Sequence, residues 1–119
     1  MHAIGSRRRS QPAPPHAVFA ALTNPDRDPT RPWLILRTDE QRPEVLESTY
    51  PSLVIWTTLW PKHPTAQLHF DLPPDNHGGT HLRWTLFVTS PDLDTSTVGH
   101  LRHRINTLIN ANLRRSFGQ

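Results

Sequence analysis

Thr95 to Phe117 constrains this chain more than any other stretch. Val98, Leu101, Ile105, Leu108, Ile109, Asn112 and Leu113 recur at three- and four-residue steps. That spacing predicts a helix of about six turns, roughly 30 Å long, carrying one apolar stripe. Arg102, His103, Arg104, Asn106, Asn110, Arg114 and Arg115 fall mostly elsewhere on its surface. Helicity alone is marginal in water, so a rod this one-sided must lie on a broad apolar partner. The middle of the chain offers strands for that role.

Residues 3 to 11 are short of hydrophobes; they could form an edge strand, but local propensity alone reads them as a flexible arm. Pro14 and Pro15 suit a helix start, His16 to Thr23 reads as a short helix with Val18, Phe19 and Leu22 inward, and Asn24-Pro25 ends it. Asp26 to Pro32 gives an irregular corner or another short turn of helix. Trp33 to Leu36 is an apolar run too short to tell helix from strand, feeding a turn at Asp39 to Arg42. Glu44 to Tyr50 places Val45 and Leu46 on opposite faces. Thr65 to Leu72 and Thr80 to Val88 both alternate, and the Pro73–Gly79 loop between them predicts a hairpin. Centring that loop on Asn76 sets Phe70 opposite Leu82 and Leu68 opposite Trp84. Ser90 to Asp94 then leads into the long helix, with Asp94, Thr95 or Ser96 as its cap.

Leu53 to Trp60 has two apolar rows, so its phase is ambiguous. Taking Leu53, Ile55, Thr57 and Leu59 as the inner row leaves Val54, Trp56, Thr58 and Trp60 on the sheet back. A second copy of the chain or a loop from the Trp33 region would then cover the two tryptophans.

The order strand, short helix, antiparallel strands, long helix is α+β. The Pro14-Pro15-x-x-Val18-Phe19-x-Ala21-Leu22-Thr23-Asn24-Pro25 segment resembles the opening of START-like (SRPBCC) proteins. Val54-Ile55-Trp56-Thr57-Thr58-Leu59-Trp60-Pro61, Gly79-Thr80-His81-Leu82-Arg83-Trp84-Thr85-Leu86 and the Gly99–Gln119 helix continue the likeness. This is the helix-grip fold of birch-pollen allergen relatives, polyketide cyclase-like proteins and Aha1-type domains. The resemblance spans residues 3 to 117 and implies one domain over 1–119. It also implies a curved antiparallel sheet wrapped around the helix at 95–117, a strand at 3–11, a short helix at 16–23 and further strands within 34–88. Relatives use the space between sheet and helix for lipids, sterols, polyketides or other apolar molecules. This chain is shorter than many of them, so its cavity should be smaller.

With 13 basic and 10 acidic side chains the formal charge is only +3. The basic residues form neither a continuous face nor a recognisable module, so nucleic acid is not the expected partner. Without cysteine there are no disulfides, thiol nucleophiles or Cys-ligated metals. No apolar run reaches membrane-spanning length, and Met1 to Ser10 lacks a signal-peptide core, so the expected location is the cytoplasm, without membrane insertion. Eight histidines are many for this length. His100 and His103 are three apart on the helix, and His81 with Asp71 could form an acid–base pair, but no three or four ligands converge on one ion. No metal, cofactor or catalytic residue is therefore assigned.

The expected ligand site is an apolar pocket lined by Ile55, Thr57, Leu68, Phe70, Leu82, Trp84, Leu101, Ile105 and Leu108, with Thr57 as its polar contact. A close-packed core without ligand volume is the plainer alternative. Three functions compete: a non-catalytic binder of a small hydrophobic or amphipathic molecule, a polyketide cyclase- or dehydratase-like enzyme, and an interaction domain with a filled core that dimerises through Trp56 and Trp60. Arg7, Arg8 and Arg9 alternate faces if they are in a strand, so some of that charge turns inward.

Overall fold

The computed structural model describes residues 1–89 and 93–118. The elements run β1 (His2–Gln11), α1 (Pro15–Thr23), β2 (Val45–Thr49), β3 (Leu53–Thr57), β4 (Gln67–Asp71), β5 (Thr80–Val88) and α2 (Thr95–Asn106), continued by a π-helical segment (Thr107–Leu113) and a last turn, α3 (Arg114–Ser116). All strand pairs are antiparallel, in the order β1-β5-β4-β3-β2. The C-terminal helix lies on one face of this sheet, and Leu101, Ile105, Leu108, Ile109 and Leu113 share one apolar cluster with Phe70, Leu82, Trp84 and Leu86. This is the α+β helix-grip architecture.

Caps and turns follow from local chemistry. Asp94 accepts from the Thr97 backbone N–H at 2.6 Å and so satisfies one orphan donor of α2. The proposed connection at 90–94 otherwise falls largely on residues 90–92, outside the described residues. In the β4–β5 hairpin, Asp75 Oδ1 accepts from the backbone of His77 (2.7 Å) and Gly79 (2.9 Å), while Asn76 (φ 67°) and Gly78 (φ 89°) take left-handed conformations. This turn carries the register two residues beyond the expected one. Phe70 faces Trp84, Leu68 faces Leu86 and Asp71 faces Arg83. A shift of two preserves every face, so the apolar rows still coincide. It also opposes Asp71 to Arg83 and His81 to Ser10 on β1, in place of the considered His81–Asp71 pairing.

Strand β3 corrects the expected phase. Val54 pairs with Phe70 and Trp56 with Leu68, so Val54 and Trp56 are the inner row, and Ile55 and Thr57 face outward opposite His69 and Gln67. Both rows are apolar, so alternation could not choose between them; cross-strand pairing did. Trp56 stacks on Trp33 with ring centroids 6.0 Å apart and donates from Nε1 to the Leu22 carbonyl at 3.0 Å. Trp56 is 1% exposed and Trp60 3%. Neither tryptophan therefore offers an exposed sheet face for a homodimer: Trp56 packs inward against α1 and Trp33, and Trp60 is buried and bonded to Glu40.

Trp33 to Leu36 form neither a helical corner nor a strand; with the turn that follows, closed by the Glu40 N–H to Arg37 carbonyl bond, residues 33–42 make an irregular strap that accounts for the other departure. Arg104, expected on the outer surface of the helix, is 3% exposed. Its Nε and Nη2 donate to Glu40 Oε2 and Oε1 at 2.8 and 2.7 Å, and Nη2 also reaches the Ile35 carbonyl at 3.2 Å. Glu40 further accepts from the Arg37 backbone N–H (2.9 Å) and from Trp60 Nε1 (3.3 Å). The strap thus closes over α2 and fastens it to the end of β3. Burial acts to raise the Glu40 pKa, but the hydrogen bonds from Arg104 and Arg37 and the Arg104 charge outweigh it and hold the carboxyl below its ordinary value.

Candidate functional site

The expected pocket lining divides into three groups. Leu68, Phe70, Leu82, Ile105 and Leu108 are each 3% exposed or less and pack against one another in the core. Ile55 and Thr57 lie on the opposite face. Trp84 and Leu101 are core residues that also reach open clefts at the edge of the helix.

Trp84 reaches the more informative cleft. Strand β1 is the edge of the sheet, and its register sets Gly5, Arg7 and Arg9 opposite Leu86, Trp84 and Leu82, on the face toward the helix. Two of the three consecutive arginines therefore turn inward, and Arg8 turns outward opposite Arg83. Between β1 and α2 lies a cleft of about 200 Å³ lined by Arg7, Trp84, Gly99, Arg102, His103 and Asn106. Arg9 Nε donates to Asn106 Oδ1 at 2.9 Å, and Gln11 Nε2 to the Ile109 carbonyl at 3.1 Å. These bonds hold β1 against the helix below the cleft, the second at the π-helical segment; such segments often occur at functional sites. At the upper end, a Cβ built on Gly5 would lie 2.7 Å from Arg102 Cγ, so the Arg102 stem can cross β1 only because residue 5 is glycine.

Trp84 is 1% exposed, and its indole Nε1 is buried without a hydrogen-bond partner. Such a group usually has one, since an unmet buried donor costs about 1–3 kcal/mol. No carboxylate lines the cleft, and neither Arg7 nor Arg102 is in an ion pair among the described residues. His100 and His103 do not converge: His103 lines this cleft, whereas His100 lines another with Asp39, Trp60 and His63. Among the described residues no group of three or more histidine and carboxylate side chains is placed to hold a metal ion, and no helix is long and apolar enough to cross a membrane.

Sequence reasoning missed Arg7, Arg102, His103 and Asn106 as a set because three of them sit on the polar side of the helix. The available signal was strand alternation in the arginine run combined with β1 being an edge.

A curved antiparallel sheet gripping one long C-terminal helix defines the START-like helix-grip fold, and solved structures bear this out. The Aha1 dimer from Colwellia psychrerythraea matches with a TM-score of 0.67 at 18% identity, over 92% of this chain and 91% of that one. CalU16 from Micromonospora echinospora gives 0.66 at 17%, over 87% and 68%. Ara h 8.0201 gives 0.58 at 13%, over 99% of both. At these identities the likeness establishes the fold alone. No protein-family profile matches the sequence, and no curated protein does.

Proposed function

We propose that this chain is a non-catalytic binding domain that takes a small amphipathic molecule at the mouth between β1 and α2, over Trp84, instead of in a chamber under the helix. The observation that carries this reading is the buried, unpartnered Trp84 indole beside an open cleft at the margin of the apolar core. A cleft of about 200 Å³ suits a ligand of one or two rings; engineered apolar cavities of roughly 150 Å³ bind benzene. The fold supports the reading, because helix-grip neighbours such as Ara h 8.0201 share this sheet-and-helix geometry. An enzymatic reading needs converging acid and base groups, and the cleft offers His103 alone.

Gly99 supplies the test. It lines the cleft, and a Cβ there meets nothing within 4 Å. Phenylalanine at this position should fill the mouth without disturbing the fold. Mass spectrometry of small molecules extracted from the purified protein should find a ligand in the wild type that is absent from folded Gly99→Phe. Equal retention by both would overturn this location.

A further inference from the structure

The proposed mouth has a definite chemical polarity. Arg7 and Arg102 only donate hydrogen bonds. Asn106 has its carbonyl oxygen engaged by Arg9, which leaves its NH2 to donate. Trp84 Nε1 is a donor without an acceptor. The acceptors among the lining side chains are a ring nitrogen of His103 and the second lone pair of Asn106 Oδ1. Lining residues that are mostly donors, two of them permanent cations, with no carboxylate lining the cleft among the described residues, match an acceptor-rich anion. Trp84, at the inner end of the cleft, supplies the apolar contact for the body behind it.

We infer that the β1/α2 mouth recognises the anionic head, carboxylate or phosphate, of a small aromatic or acyl molecule, with Arg7 and Arg102 clasping the head from strand and helix and the body resting on Trp84. This rests on the binding reading above. Arg102 can take part because Gly5 lets its stem lie across β1, which makes Gly5 a positioning residue for the clasp. Charge-assisted bonds to an oxyanion are about twice as strong as neutral ones, so a neutral ligand of the same shape is disfavoured.

The test is an NMR titration of the Trp84 indole N–H with benzoate, phenyl phosphate and benzyl alcohol, three probes of similar body and different head. The signal is assigned by its loss in Trp84→Phe or, should that variant not fold, by its through-space contacts to Arg7. Saturable shifts with at least one anion, about tenfold or more tighter than with benzyl alcohol, are expected. The tighter anion identifies the head. Arg7→Gln and Arg102→Gln should each weaken anion binding by about tenfold, and added salt should weaken it further. Gly5→Ala should weaken it with no change of charge. Equal binding of benzyl alcohol would overturn the anion assignment and leave the binding reading standing. An indole unmoved by all three probes would overturn both. Anion binding unaffected by either arginine substitution would place the head elsewhere and overturn the clasp.

Discussion

Arg102 and Arg104 are two residues apart on one helix and have opposite environments. Arg104 is buried, forked onto Glu40 and bonded to the Ile35 carbonyl. Arg102 is exposed beside Gly5 and has no ion-pair partner among the described residues. A step of two residues turns a helix by about 200°, so one guanidinium meets the 33–42 strap and the other the β1 edge. The strap brings a carboxylate and closes; the edge brings more cations and stays open. One arginine therefore serves stability and the other is available for a ligand, a division that charge counting along the sequence does not make.

That contrast can be broken experimentally, beginning with its buried side. Glu40→Ala strands a buried guanidinium and should destabilise the fold by about 3–5 kcal/mol in urea denaturation. A loss below about 1 kcal/mol would mean the strap is not fastened as described. Ile105→Ala and Trp84→Ala, in the apolar floor between the two arginines, should each lose about 2–5 kcal/mol. Losses below roughly 0.5 kcal/mol at both would place the inner face elsewhere.

Glu40 also sets a pH signature. Its folded pKa lies below its unfolded value, so between the two the unfolded chain binds the extra proton. The stabilisation is complete above the unfolded value and is lost as pH falls through the lower folded value. Melting curves of the wild type should therefore fall more steeply on acidification than those of Glu40→Gln; parallel curves would contradict the pairing. On the open side, Arg102→Gln should change stability by no more than about 0.5 kcal/mol. Also at the mouth, Gly99→Ala removes a helical glycine with free space around it and should add about 0.5–1 kcal/mol.

Much of the fold was legible because independent patterns agreed. The helical stripe from Leu101 to Leu113, the twin alternations of β4 and β5, and the prolines bracketing α1 each point to the helix-grip order, and the first strand gained credibility only from that order. Where local patterns were degenerate, reading failed. Strand β3 is apolar on both rows, so Ile55 and Thr57 were placed inside when Val54 and Trp56 belong there. Arg104 resembles any solvated helix charge until the strap folds over it, a contact 64 residues distant in sequence. The candidate site depended on tertiary placement still more. Its apolar floor at Trp84 was visible, but its donors come from an edge strand and a polar helix face that only the sheet order brings together.

The most direct measurement of the central claim is a crystal structure of the protein soaked with benzoate or phenyl phosphate. Density over the Trp84 indole, with the anionic head between Arg7 and Arg102 and the Phe70–Leu82–Ile105 core unmoved, is the predicted result. A ligand seated beneath the helix, with those core side chains displaced around it, would contradict the account.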